Sequence, residues 1–271
     1  MSKFHLHLVS DATGETVQTV SRACLAQFDD AQPMEHNWNL IRRDTQLVDA
    51  IAGIKENPGF VLYTLVNDDF RTKLLKVCQE LQIPCVSVLQ PIMAAFGGFL
   101  KTEIHAEPGR QYTMDGEYYS RISAMDYALM HDDGQATWNL EEADIVVLGV
   151  SRTSKTPTCM YLANRGLKVA NVPIILGHEP PEELFELKKP FIVGLTRDTR
   201  TLVQVRRNRL RVMNQENPTD YADPGSVADE VNFAQRLYTQ QGWPIIDVTR
   251  RSIEETAAAI MQLKSQIQDQ Q

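Results

Sequence analysis

The stretch GVSRTSKT, Gly149 to Thr156, gathers two cations (Arg152, Lys155) and four hydroxyls (Ser151, Thr153, Ser154, Thr156) behind a single glycine. It follows the apolar run Ile145 to Leu148 and precedes Pro157 and the helix-like TCMYLANRG. Strand, glycine-started loop, Lys-Thr and helix form the layout of a phosphate-binding P-loop. Backbone N–H groups in such a loop and at the helix N-terminus point at an anion. All of Gly149, Val150, Ser151, Arg152, Thr153, Ser154, Lys155 and Thr156 are therefore candidate nucleotide contacts. Lys155 would reach the terminal phosphates, and the Thr156 hydroxyl would sit where Mg²⁺ is held. Pro157 suits a first helical turn, where its missing N–H is no loss. The loop departs from GxxxxGK[ST] at one place: Ser154 stands where glycine is usual, and serine turns tightly less readily.

Two further loops carry chemistry-bearing residues. LTRDTRTLVQVRRNRL (195–210) begins where a strand ends, the position at which open α/β sheets gather ligands. Arg197 and Arg152 could neutralise transferring phosphate oxygens. Asp198 could accept a hydroxyl proton or orient Mg²⁺, or simply cap the following helix. The arginines that follow fit either a solvated helix face or a docking surface for a phosphorylated or acidic partner. SDATGET (Ser10 to Thr16) is a second strand-to-helix loop. Its Asp11, Thr13 and Gly14 are candidate phosphate contacts; the alternative is a helix cap, Thr13 with Thr16 nearby, and Asp11 complementing the helix dipole. His5 and His7 share one face of the first strand, but no completing ligand set is visible nearby. Asp132 and Asp133 could hold a cation, although Asp-Gly is first a turn signal. His178 reads as a loop histidine.

The elements that must position these residues alternate regularly. Strands are expected at 4–10, 35–41, 60–66 and 85–89, separated by helices after 13, at 47–55 and at 69–81. Residues 91–115 read as irregular, broken by Gly97-Gly98 and Pro108-Gly109. A helix over 118–130 ends at HDDG, and polar DDGQATWNLEEA is the expected junction between domains 1–140 and 141–271. The rhythm restarts with strands at 144–149, 168–174, 190–196 and 243–249. Helices fall between them, with Ser226 as the expected cap of helix 227–241 and Ser252 as that of the last helix. The predicted fold is α/β, with mostly parallel sheets, a Rossmann-like N-terminal half and a P-loop kinase-like C-terminal half. No internal sequence repeat is visible, and the glutamine-rich end is expected to fray.

Composition narrows the function. The 271 residues are 43% hydrophobic and 23% charged, enough to bury a core, and the net charge of −8 argues against nonspecific nucleic-acid binding. The four cysteines lack CxxC spacing and read as reduced thiols of a cytoplasmic protein. No run approaches the ~18 apolar residues of a membrane span, and the N-terminus has no signal-peptide h-region.

SDATGET, RISAMDYALMHDDG, GVSRTSKTPTCMYLANRGLKVANVPI and VGLTRDTRTLVQVRRNRL occur in that order. Together they resemble the pyruvate, phosphate dikinase regulatory proteins of bacteria, from about Phe4 to Met261. A sister branch acts on phosphoenolpyruvate synthase and usually carries Gly before the loop lysine, so Ser154 favours the first branch. The resemblance implies a bifunctional enzyme. As a kinase it uses ADP to phosphorylate, and so inactivate, an active-site threonine of pyruvate, phosphate dikinase. As a phosphorylase it removes that group with inorganic phosphate, releasing pyrophosphate. ADP, Mg²⁺ and inorganic phosphate are the expected small molecules, the dikinase is the expected partner, and a homodimer is a reasonable assembly. The residues leave Asp198 and Asp11 both open as the base. The rival readings are the same chemistry on phosphoenolpyruvate synthase, a small-molecule P-loop kinase, and a nucleotide sensor without transferase activity.

Overall fold

The computed structural model describes residues 2–110, 114, 116–136, 138–213 and 220–268. The chain divides into two compact units, Met1–Thr113 and Met114–Gln271.

Unit 1 alternates β1 (Ser2–Val9), α1 (Glu15–Leu25), β2 (Ala31–Trp38), α2 (Asp44–Glu56), β3 (Phe60–Tyr63), α3 (Asp68–Glu80), β4 (Cys85–Ser87) and α4 (Gln90–Leu100). Its four strands are all parallel, in the order β2-β1-β3-β4. Two expectations need correction. β2 begins four residues before the expected Glu35 and ends at Trp38, because Pro33 lies in an edge strand, where a missing N–H is tolerated. Residues 91–100, part of the stretch expected to be irregular, lie in α4. Pro91 falls in its first turn, where proline is harmless, and Gly97-Gly98 weakens the helix without breaking it.

Unit 2 runs α5 (Gly116–Met130), β5 (Ile145–Gly149), α6 (Lys155–Ala163), β6 (Val169–Pro173), α7 (Glu183–Glu186), β7 (Phe191–Thr196), α8 (Thr199–Val212), α9 (Pro224–Gln241), β8 (Ile245–Asp247) and α10 (Ile253–Gln268). Its sheet is also all parallel, in the order β6-β5-β7-β8. This matches the strand order of unit 1, a repeat of topology without a repeat of sequence. Both faces are covered, as all-parallel sheets require. Val146 and Leu148 meet α5, α8 and α9 through Tyr127, Leu202 and Val231. Ile145 and Val147 meet α6 and α10 through Leu162 and Ile260. Every residue of β5 is therefore buried, which explains its unbroken apolar run. Asp223, not Ser226, caps α9. Its carboxylate accepts the Ser226 N–H at 2.9 Å, and Pro224 occupies the first turn. Ser252 caps α10 as expected, its hydroxyl accepting from the Glu255 N–H at 3.1 Å. Of the glutamine-rich end, 269–271 lie outside the described residues. Among the described residues no helix is long and apolar enough to cross a membrane.

Candidate functional site

In each unit the first strand occupies an inner position, and its neighbours on either side are reached by crossovers leaving in opposite directions. Ligands of open α/β sheets gather at the carboxyl end of such a strand. GVSRTSKT follows β5 there, and SDATGET follows β1.

The β5–α6 loop folds back tightly on itself. A side chain at Gly149 would meet Thr153 Oγ1 at 2.4 Å, so the strand must end on glycine. Arg152 and Ser154 both take the left-handed conformation, with φ 75° and 65°. Ser154, where the pattern calls for glycine, thus adopts the geometry that glycine serves at least cost. Three successive loop carbonyls are each claimed by a donor. Val150 O accepts from Thr153 Oγ1 at 2.9 Å and Lys155 Nζ at 3.2 Å. Ser151 O accepts from Arg206 Nε at 3.3 Å and its Nη2 at 3.1 Å. Arg152 O accepts from Arg197 Nη1 at 3.2 Å. The N–H groups of Ser151 to Thr156 find no partner among the described residues. A loop with bound carbonyls and free N–H groups at a helix N-terminus is a cradle for an anion. It opens on a cavity of about 620 Å³ lined by Ser151, Ser154, Lys155, Thr156, Arg197 and Tyr221 among others.

Lys155 is only 5% exposed. Burial pushes its ammonium below the ordinary lysine range, and the carboxylates of Asp133 and Asp132 partly restore it. An arriving phosphate would complete that compensation. Thr156 Oγ1 donates to Asp132 Oδ1 at 2.9 Å, and Asn171 Nδ2 donates to Thr156 Oγ1 at 3.0 Å and also to Asp132 Oδ1. Asn171 Oδ1 is buried and has no partner among the described residues. The HDDG turn, read mainly as punctuation, thus carries its carboxylates to the loop. Asn171, on β6, was not legible as a site residue. Only the β5–β6 pairing, which sets Val147 against Asn171, brings it there.

Arg197 reaches the loop as expected, donating to Ser154 Oγ at 3.2 Å besides Arg152 O. The Arg152 side chain turns to Tyr221, its Nε donating to the phenol oxygen at 3.1 Å. Asp198 caps α8: Oδ1 accepts the Thr201 N–H at 3.0 Å and the Thr201 hydroxyl at 3.1 Å, and these bonds hold its carboxyl below the usual range. It is not among the residues lining the cavity. Arg206 departs from the arginine run. It is fully buried, donates to Glu230 and Tyr221 O as well as to the loop, and its guanidinium lies 4.7 Å over the Tyr221 ring.

In unit 1, Asp11 is buried and its Oδ2 accepts the Val66 N–H at 2.7 Å. It is not a helix cap. Gly14 holds that place at φ 84°, and a side chain there would strike Asn39. Burial raises the Asp11 carboxyl above its usual value. Asp11, Thr13 and Gly14 line a cavity of about 280 Å³ together with His105 and Arg110. His7 uses both ring nitrogens, with Trp38 Nε1 at 3.1 Å and Asn57 O at 2.8 Å, and so is not a ligand. Among the described residues no group of three or more His, Cys, Asp and Glu side chains is placed to hold a metal.

Fold and loop define a two-unit, all-parallel α/β protein of P-loop kinase-like construction. A profile of the kinase/pyrophosphorylase family matches residues 6–261, and the chain belongs to that family. A relative from Paramagnetospirillum magneticum is 55% identical over 97% of this chain and 85% of its own length. Relatives from Rhodospirillum rubrum (53%; 97% and 95%) and Rhizorhabdus wittichii (50%; 97% and 96%) are similar throughout. All three are provisionally named pyruvate, phosphate dikinase regulatory protein. A solved LacI transcriptional regulator from Lactobacillus brevis aligns at 11% identity over 91% of this chain and 98% of that one, with a TM-score of 0.23, and carries no argument.

Proposed function

We propose that this chain regulates pyruvate, phosphate dikinase by reversible phosphorylation of an active-site threonine. ADP is the donor, and inorganic phosphate is the acceptor on removal. In the forward direction the threonine oxygen forms a bond to the β-phosphorus of ADP, the bond to the bridging oxygen breaks, and AMP leaves. In the reverse direction a phosphate oxygen attacks phosphothreonine, the P–O bond to threonine breaks, and pyrophosphate leaves. The observation that carries the reading is the loop itself, with carbonyls of Val150, Ser151 and Arg152 tied back and the N–H groups of Ser151 to Thr156 free. Family membership supports it.

The chain's own residues have distinct tasks. The free N–H groups bind the phosphate that both directions share. Lys155 neutralises the moving phosphoryl group, and Arg197, already against the loop, binds its outer oxygens. Arg152 lies at the cavity rim, where leaving Tyr221 would let it reach the same oxygens. The oxygen set of Thr156, Asp132 and Asp133 fits Mg²⁺, which binds through one or two carboxylates plus phosphate and water. Bound there, the ion would neutralise phosphate charge. Asp198, engaged with Thr201, orients α8. Asp133, which lines the cavity, is a better candidate than Asp198 to receive the threonine proton.

Phosphothreonine mass spectrometry on purified dikinase tests the reading, with ADP or ATP supplied in separate reactions with Mg²⁺. Modification with ADP, reversed by phosphate with pyrophosphate release, is expected. Modification of phosphoenolpyruvate synthase alone would transfer the chemistry to that target. Turnover of a small acceptor without protein would replace the reading with a metabolite kinase.

A further inference from the structure

His131 is a buried polar side chain that the proposed chemistry does not use. It is 1% exposed and stands between the end of α5 and the turn that carries Asp132 and Asp133. Its ring stacks on Tyr127, with centroids 3.9 Å apart and planes 13° apart. Both of its nitrogens are engaged. Nδ1 lies 2.8 Å from Tyr127 O, which only accepts, so Nδ1 carries a proton. Nε2 meets the Asn139 side-chain amide. The Tyr127 hydroxyl donates to Asn139 O at 3.0 Å, so imidazole, phenol and amide brace one another. Filling an apolar slot requires none of this, since leucine or phenylalanine would pack there with no polar atoms to satisfy.

The brace holds the turn. The His131 carbonyl accepts the Asn171 N–H at 2.9 Å, which pins the start of the turn to β6. The Asn171 side-chain amide donates to Asp132 Oδ1, to Asp133 Oδ1 at 3.4 Å and to Thr156 Oγ1 at 3.0 Å. The turn itself is not relaxed. Asp133 and Gly134 are successive left-handed residues, at φ 48° and 71°, and a side chain at 134 would approach Pro173 Cδ to 3.1 Å. An aspartate in that conformation persists where its surroundings hold it. Thr156 Oγ1 spends its proton on Asp132 and one lone pair on Asn171, which leaves the second lone pair for a cation.

We propose that His131 is a positioning residue: through Tyr127 and Asn139 it fixes the turn that delivers Asp132 and Asp133 to the β5–α6 loop. It is not among the residues lining the cavity, so it acts through those carboxylates. The inference rests on the reading in which they and Thr156 hold Mg²⁺. The anion cradle is held separately, by Lys155 on Val150 O, Arg206 on Ser151 O and Arg197 on Arg152 O. Losing the His131 brace should therefore loosen cation binding and leave anion binding intact.

Mn²⁺, a paramagnetic stand-in for Mg²⁺, provides the test, by electron paramagnetic resonance titration of the full-length protein with ADP. His131→Phe keeps the ring and its stacking and loses both polar bonds. It should retain native circular dichroism and bind ADP without divalent cation within about twofold of native. Its Mn²⁺ affinity should fall about tenfold or more, the usual loss when an outer partner of a metal ligand is removed. His131→Asn, whose amide nitrogen can replace Nδ1 as donor to Tyr127 O, should recover part of that loss. Asn139→Ala frees Nε2 without touching the ring and should weaken Mn²⁺ binding in the same direction, which keeps the test available if His131→Phe misfolds. Asn171→Ala acts on the same carboxylates, so H131F/N171A should lose less than the product of the two single losses. Native Mn²⁺ affinity in His131→Phe would overturn the inference and leave the cation reading in place. A parallel loss of cation-free ADP binding would make His131 a general packing residue, and independent losses in H131F/N171A would separate it from the carboxylates. Either result overturns it. If the native protein with ADP binds no Mn²⁺, the cation reading itself falls and takes this inference with it.

Discussion

Arg206 and Glu230 form a bidentate pair, Nη2 to Oε2 at 2.6 Å and Nη1 to Oε1 at 3.1 Å, and the same guanidinium holds the Ser151 carbonyl. A charge carried into the core by α8 is thereby anchored on α9 and spent on the shape of the β5–α6 loop. Turning Ser151 O toward Arg206 leaves the following N–H groups free for an anion.

Arg206→Ala should cost about 3–5 kcal/mol, the usual loss when one member of a buried pair is removed. Arg206→Lys is the sharper variant. Lysine keeps the charge but cannot hold two Glu230 oxygens, Ser151 O and Tyr221 O together. ADP affinity by calorimetry should drop by about tenfold, or about 1.4 kcal/mol, with a smaller change in urea midpoint. Native ADP affinity in Arg206→Lys would show that the loop keeps its shape without this anchor.

Lys155→Met separates anion binding from folding. The buried ammonium is disfavoured in the anion-free protein, as the downward shift of its pKa records. Methionine fills similar space without a charge, so stability without ligand should be unchanged or higher by about 1 kcal/mol. The native protein should gain about 2.7 kcal/mol at ligand concentrations a hundredfold above Kd. The variant should gain almost none. Thermal melts with and without ADP or phosphate read both effects, and equal ligand-induced shifts would remove Lys155 from the site.

Ser154 carries a left-handed strain of about 1 kcal/mol and one hydrogen bond from Arg197, at 3.2 Å. Ser154→Gly relieves the strain and loses the bond, so the two nearly cancel and stability should move by less than about 1 kcal/mol. Ser154→Ala keeps the strain and loses the bond, and it should be the less stable of the two in denaturant titrations. The reverse order would mean that the left-handed conformation at 154 carries no strain for glycine to relieve.

Asp11 predicts a pH dependence. Its carboxyl is raised in the folded state by burial, so between its unfolded and folded pKa values the native protein binds more protons than the unfolded chain. Stability from this group therefore rises as pH falls through that window and is lost as pH climbs above it. Asp11→Asn removes the effect. The difference in melting temperature between native protein and Asp11→Asn should shift toward the native protein from neutral to mildly acidic pH. A constant difference would show that the Val66 N–H fully compensates the buried charge.

Much of this was legible in the residues because local chemistry and period dictate it. The apolar run Ile145 to Leu148 has to be a buried parallel strand. Glycine before SRTSKT has to start a tight loop. These depend on neighbours in the chain, and a linear pattern records them. The parallel α/β class followed from the same alternation.

Other features depend on pairings between distant segments, which no local pattern encodes. Arg206 looked like one more solvated arginine until α8 and α9 packed together and Glu230 met it. Asn171 became a neighbour of Thr156 only through the register of β5 against β6, and the HDDG turn reached the same place from the end of α5. Sequence determined the kind of chain and the tight glycine-started loop after β5, since both arise from backbone preference and hydrophobic period. Tertiary structure alone decided which charges are buried and which carbonyls are tied back, because those are sums over contacts between residues far apart in the chain.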